Sequence, residues 1–227
     1  MTDREDGSLY SVIENGVAKI EFGHPASNSF PSVLLDRLAK KFQELSEEPE
    51  AKVILLQSEG EKAFCAGASF NELVAINDMQ TGKLFFSGFA KVINAMRKCP
   101  KLVIARVQGK TVGGGVGLVA ACDYAMATEA AAIKLSELSI GIGPFVIAPA
   151  VERKMGKAAL AELTLPFCKL GGRTVAMKKS DIGDELKGSE RAVSILGGAL
   201  ERIEVVDLEE IGEPRWLVVL TKDAISP

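Results

Sequence analysis

The stretch Thr111–Gly117, TVGGGVG, constrains this chain more than any other. Gly113, Gly114 and Gly115 stand directly before an apolar helical run through Leu118, Val119 and Ala121. Without a Cβ, such a turn lets another group approach the backbone closely, and the first turn of a helix leaves N–H groups with no intrahelical acceptor. A second small-residue loop, Ala66–Gly67–Ala68 within FCAGASF, offers another bare N–H from elsewhere in the chain. Two converging amides form an oxyanion hole, which stabilises charge building on a carbonyl oxygen by a few kcal/mol per donor. Further along, Glu137 in SELSIGI supplies a carboxylate able to move protons.

Other glycine-rich sites fail on spacing. Gly109-Lys110-Thr111 imitates the end of a P-loop, but Ile104 occupies the position of the required earlier glycine. A dinucleotide fingerprint fails because Leu118 stands where its last glycine belongs. A lone glycine turn would equally serve a tight strand-to-helix connection. The pairing with the Ala66–Ala68 loop is what favours an oxyanion hole.

The chain is long enough, at 227 residues, for one ordinary domain and a small appendage. Hydrophobic residues make up 47% and charged residues 25%, the balance of a soluble globular protein. A formal net charge of -3 gives no footprint for nucleic acid, and no apolar run reaches the ~18 residues of a membrane span. The polar, acidic start MTDREDGS argues against a secretory leader. Cys65, Cys99, Cys122 and Cys168 show neither metal-type spacing nor disulfide density, and His24 is the single histidine. The expectation is a reduced, cytoplasmic, metal-free protein without nucleic-acid or membrane partners.

Along the chain, Leu9–Ile13 and Val17–Phe22 alternate around Asn15-Gly16, a hairpin signal. Pro31–Ser46 reads as a helix with Leu34, Leu35, Leu38, Phe42 and Leu45 on one face. Val53–Leu56 and Leu102–Val107 are short apolar runs that suit buried strands. A short helix is expected at Glu72–Ile76, and a longer one at Thr81–Lys98 with Phe85, Phe86, Phe89, Val92, Ile93 and Met96 as its stripe. Asp123–Thr128 and Ala132–Leu135 read as strands, and Ala148–Met155 as a helix. Strand-strand-helix units recur about three times. Beyond Leu165 the pattern changes: Gly171-Gly172, a helix near Glu185–Ile203 interrupted by glycines, and the strand-like Arg215–Leu220.

FCAGASF, VQGKTVGGGVGLVAACDY and KLSELSIGI, in this order, resemble the two oxyanion segments and the acid-bearing segment of the crotonase (enoyl-CoA hydratase/isomerase) superfamily. The resemblance starts near Tyr10, includes HPASNSF at His24–Phe30, and runs to about Leu165. It implies an α/β fold, a crotonase-like spiral of strand-strand-helix units over residues 1–165, with 166–227 as an atypical C-terminal segment. That segment lacks the family's usual helical pattern; a divergent tail and a replaced one, as by a frame shift, are both open. The implied substrate is an acyl-CoA thioester, with no separate cofactor because coenzyme A belongs to the substrate. The implied assembly is a homotrimer or hexamer, if the C-terminal segment permits it.

The resemblance also implies residue roles. The amides of Ala68 and Gly114 hold the thioester oxygen, and Glu137 exchanges the proton. Ala26, Ala66, Ser69, Phe70, Gly113 and Gly117 bind substrate. Hydratases of the family place a first glutamate three residues after the middle glycine, where this chain has Gly117, and keep the second, here Glu137. A single carboxylate suffices to carry a proton from C2 to C4 of a 3-enoyl chain. Family isomerases likewise lack the first glutamate and follow the second with a stretch resembling Gly141-Ile142-Gly143-Pro144-Phe145. Isomerisation of 3-enoyl-CoA is therefore favoured. The alternatives are a hydratase using Glu137 alone and a non-catalytic acyl-CoA-binding homologue. His24 reads as a loop residue, Cys65 as a packing residue, and the Phe85, Phe86 and Phe89 group as core. Ser69 replaces an Asp common in the family, at a position that serves loop structure.

Overall fold

The computed structural model describes residues 6–137, 143–156, 170–178, 182–207 and 214–224. Two compact units divide them. One holds the described residues through Ser136 together with Pro144–Val151; the other holds Glu137, Gly143 and the described residues from Glu152 onward.

The first unit opens with the hairpin of β1 (Ser8–Glu14) and β2 (Val17–Gly23), paired antiparallel from Ser8↔Gly23 to Glu14↔Val17. Asn15 and Gly16 have φ of 52° and 81°, the left-handed pair a two-residue turn of this kind needs. Helix α1 (Ser32–Glu47) follows, then β3 (Val53–Ser58), β4 (Ala63–Cys65), α2 (Phe70–Val74) and α3 (Met79–Lys98). Next come β5 (Leu102–Val107), β6 (Lys110–Val112), α4 (Gly114–Ala121), β7 (Tyr124–Ala127), β8 (Ile133–Lys134) and α5 (Ala148–Met155), whose first residues through Val151 belong to this unit.

From β3 onward successive strands alternate between two sheets. The larger has the order β1-β2-β3-β5-β7 and the smaller β4-β6-β8. Outside the first hairpin every pairing in the two sheets is parallel. Each strand pair precedes helical structure: α2 and α3 after β3 and β4, α4 after β5 and β6, α5 after β7 and β8. This is the expected spiral of strand-strand-helix units.

Register explains the core. Ala18↔Ile54 and Ile20↔Leu56 pair across β2 and β3, and Ile54↔Val103 and Leu56↔Ala105 pair across β3 and β5. All six side chains are buried on one face, so a slip of one residue would turn the whole row outward. The α1 stripe Leu34, Leu35, Leu38, Phe42 and Leu45 is buried as its spacing requires. On α3 the buried residues are Gly88, Phe89, Val92, Ile93, Ala95 and Met96. Here the aromatic stripe needs correction, because Phe86 is 39% exposed and Phe85 only half-buried. The two rings instead pack edge to face with each other, centroids 5.1 Å apart, at the start of the helix.

The second unit contains β9 (Arg173–Lys178), α6 (Gly183–Ile195), β10 (Gly198–Val206) and β11 (Arg215–Lys222), with the antiparallel order β10-β11-β9. The helix expected near Glu185–Ile203 ends at Ile195. Gly197 takes φ 71°, and a Cβ there would lie 2.2 Å from the Ala224 carbonyl oxygen, so only glycine fits the stop. Residues 198–206 then pair with β11. No helix of the described residues is long and apolar enough to cross a membrane.

Candidate active site

Adjacent parallel strands bring the two glycine-containing loops together. Ala63 and Cys65 of β4 pair with Lys110 and Thr111 of β6, so Ala66–Ala68 and Gly113–Gly115 leave the same end of one sheet. The next strand, β8, pairs Thr111↔Ile133 and Val112↔Lys134, and Glu137 follows three residues along the chain from Lys134. Two of the sequence motifs thus leave neighbouring parallel strands, and the chain runs on from the third strand to Glu137.

Hydrogen bonds sort the amides of the first loop. The Ala66 N–H donates to the Ser27 carbonyl (3.2 Å), the Gly67 N–H to Cys65 Sγ (3.3 Å) and the Ser69 N–H to the Phe30 carbonyl (2.9 Å). The Gly67 carbonyl accepts from the Phe30 N–H at 2.8 Å, which makes Phe30↔Ala68 a parallel bridge. Among the described residues nothing accepts from the Ala68 N–H. In the second loop the Gly113 N–H is bound to the Lys134 carbonyl (3.0 Å) and the Val116 N–H to the Gly113 carbonyl (2.9 Å). The Gly114 N–H likewise has no acceptor among the described residues, as the first residue of a helix should. Spare donors therefore remain in both loops, Ala68 in the first and Gly114 with its neighbour Gly115 in the second.

The glycines are sterically required. Gly67 has φ 96°, and a Cβ on it would lie 3.3 Å from the Val112 carbonyl oxygen and 3.7 Å from the Gly114 nitrogen. That measures how closely the loops approach. Gly113 precedes α4 with φ 54°. A Cβ on Gly114 would meet the Phe89 ring at 2.4–2.6 Å, and one on Gly115 would meet Cys65 Cβ at 2.6 Å. Cys65 is fully buried, which pushes its thiol up to about 12 and leaves it a neutral packing group.

An aromatic chain backs this arrangement: Phe64 against Phe22 (5.3 Å), Phe22 against Phe30 (4.7 Å), Phe30 against Phe89 (5.8 Å). Phe30 and Phe89 are the residues sequence reasoning missed. Phe30 pins Ala68 through its backbone, and Phe89 covers Gly114 with its ring. The only sequence signal for Phe89 was its place in a helical stripe, which reads as ordinary core.

The other expected binding residues occupy distinct settings. Ala26 is exposed in a loop whose shape is set by His24 and Asn28. His24 Nδ1 accepts from the Ala26 N–H and lies 3.1 Å from Ser29 Oγ, which defines the histidine as a loop organiser. Asn28, at φ 57°, donates through Nδ2 to the carbonyls of Glu59 (2.7 Å) and Ala63 (2.8 Å), tying the loop to β4. Ser69 caps α2 by accepting from the Glu72 N–H, and this cap starts the helix at Phe70, earlier than expected. Phe70 is 66% exposed. Gly117 is buried: a Cβ there would lie 2.4 Å from Ile147 Cγ2 and 3.1 Å from Ile93 Cδ1, so aliphatic carbon fills the space beside it. Gly141 and Ile142 of the isomerase-like stretch lie outside the described residues; Phe145, within them, is exposed.

Glu137 is described within the second unit. Its Oε2 is buried and has no hydrogen-bond partner among the described residues. Burial raises its pKa above the ordinary carboxylate value, against a smaller opposing effect of its own backbone N–H. Such a carboxyl group is suited to both taking up and returning a proton.

A family model described as enoyl-CoA hydratase/isomerase matches residues 12–175. The Bacillus subtilis (strain 168) protein YngF, named as an enoyl-CoA hydratase/isomerase, is 31% identical over 182 residues, 78% of this chain and 67% of that protein. The ethylmalonyl-CoA decarboxylase of Xenopus tropicalis is 27% identical over 59% of this chain and 45% of its own length. Among solved structures, an enoyl-CoA hydratase from Shewanella pealeana superposes with a TM-score of 0.66 at 29% identity, covering 72% of this chain and 62% of that one. The matched region spans about half to two thirds of the length of these relatives.

Proposed function

The chain belongs to the enoyl-CoA hydratase/isomerase family, and from that premise we propose that it isomerises 3-enoyl-CoA to 2-enoyl-CoA thioesters. The observation that carries the reading is the pair of spare amides, Ala68 and Gly114, at the ends of two adjacent parallel strands. In the proposed reaction both donate to the thioester oxygen. The carboxylate of Glu137 removes a proton from C2, and the C–H electron pair moves into the carbonyl to form a dienolate. Negative charge on oxygen strengthens both hydrogen bonds, so the hole favours the dienolate over the ground state. Glu137 then returns the proton to C4, and the double bond comes to lie between C2 and C3. No atom is gained or lost, and one carboxyl group serves both steps.

Gly117 supports isomerisation over hydration, since glycine cannot hold or deprotonate a water molecule. The similarity to a decarboxylase fits the same hole, because loss of CO2 from a malonyl-type thioester also passes through an enolate. The test is steady-state turnover of 3-enoyl-CoA and of 2-enoyl-CoA by the purified chain. Formation of the conjugated thioester from the first, with negligible hydration of the second, is expected. Hydration alone would replace the reading with that of a one-carboxylate hydratase, and binding of both without turnover with that of a non-catalytic homologue.

A further inference from the structure

Gly114 and Gly117 lie three residues apart on α4 and so look out from one side of the helix. Opposite them on α3 stand Phe89 and Ile93, four residues apart, and a third element closes the space: Ile147, just before α5. A Cβ at position 117 would fall 2.4 Å from Ile147 Cγ2 and 2.7 Å from Ile147 Cβ, closer than carbon atoms approach. The volume of a side chain at 117 is thus already taken.

The backbone at Ile147 adds an independent observation. Its carbonyl accepts from the N–H groups of Ala150 (3.0 Å) and Val151 (3.1 Å), and its own N–H donates to the Pro144 carbonyl (3.2 Å), so the residue is fixed at the entry to α5. Ile147 is 2% exposed, with its side chain directed into the α3–α4 packing and against Gly117. What the residue contributes there is aliphatic volume.

We propose that Ile147 determines the reaction class by filling, one helical turn from the Gly114 amide, the place where a water-binding side chain at 117 would stand. The inference rests on the proposed isomerase reading. Hydration adds a hydroxyl to C3 and a proton to C2, and the water needs polar groups to hold it; Ile147 and Ile93 offer none. The glycine and the isoleucine therefore act as a pair, and changing one alone does not open the site.

The test compares Gly117→Glu, Ile147→Gly and the double variant in the full chain. Glycine at 147 is chosen because even an alanine Cβ would remain 2.7 Å from the new Cβ. The double variant should hydrate 2-enoyl-CoA about 10²-fold faster than wild type, the lower range for a placed acid–base group. Gly117→Glu alone should show no such gain. Equal hydration by the single and double variants, or a folded double variant without hydration, overturns the inference. A thermal cycle guards against misfolding: Gly117→Ala should lower Tm in wild type and much less in the Ile147→Gly background. Equal losses in both backgrounds overturn the inference. Wild-type protein that turns over neither thioester overturns the proposed function instead, and the inference falls with it.

Discussion

A carboxyl oxygen buried without a hydrogen-bond partner among the described residues favours its proton, and the consequences at Glu137 run through both activity and stability. Because its pKa is raised in the folded chain, ionisation costs stability at pH above the raised value. The cost vanishes as pH falls through the unfolded value near 4.5, where both states are protonated. Glu137→Gln should therefore raise Tm at neutral pH and give no gain below about pH 4, a comparison that thermal scans across pH would make. The same variant should abolish isomerisation while leaving thioester affinity nearly intact, since the amide keeps the shape and cannot exchange the proton. In the wild type the acid limb of the kcat/KM profile should lie above the ordinary carboxylate range, because only the ionised form removes the C2 proton. Gly67 provides the second residue-scale test. Alanine at its φ of 96° costs about 1–2 kcal/mol by backbone strain, and it pushes against the Val112 carbonyl. Gly67→Ala should lower stability by that amount in denaturant titrations and reduce kcat more than it raises KM.

Helices α3 and α4 carry the argument at the scale of elements. Phe89 holds the first residue of α4 by lying where a side chain of Gly114 would be, and it is itself buttressed by Phe30. Phe89→Ala should destabilise the fold by about 3–5 kcal/mol in denaturant titrations, the usual cost of emptying an aromatic site. It should also lower kcat, because the Gly114 amide loses its backing; unchanged kcat in a folded variant would separate the aromatic chain from catalysis. Much of this level was legible in the sequence. Asn15-Gly16 marked the hairpin, leucines at helical spacing marked α1, and glycines between apolar runs marked the loops of the smaller sheet. What stayed hidden is in part a local cap and in part a matter of distant contacts. The Asp78 side chain accepts from the Thr81 N–H at 2.7 Å, a capping box that starts α3 at Met79, ahead of the expected Thr81. The exposure of Phe86 follows from where α1 and α4 leave α3 uncovered, which spacing alone does not encode.

For the molecule as a whole, the alternation of strands between two sheets is what turns the two glycine loops into neighbours, and no local pattern in the sequence announces it. The order of the motifs did, through their resemblance to a family. The C-terminal part was less legible because β10 interleaves charged and apolar residues, as in Leu200–Val206, in a way that also suits a helix. Its strand character comes from pairing with β11. The spare amides of Ala68 and Gly114 are the centre of the account, and the carbonyl stretch of a bound thioester tests them most directly. An acyl-CoA labelled with carbon-13 at its carbonyl can be followed by infrared difference spectroscopy on binding to the wild-type chain. The band should move to lower frequency than in water, and the shift should shrink in Gly67→Ala. A bound thioester whose carbonyl band stays at its position in water would contradict the account.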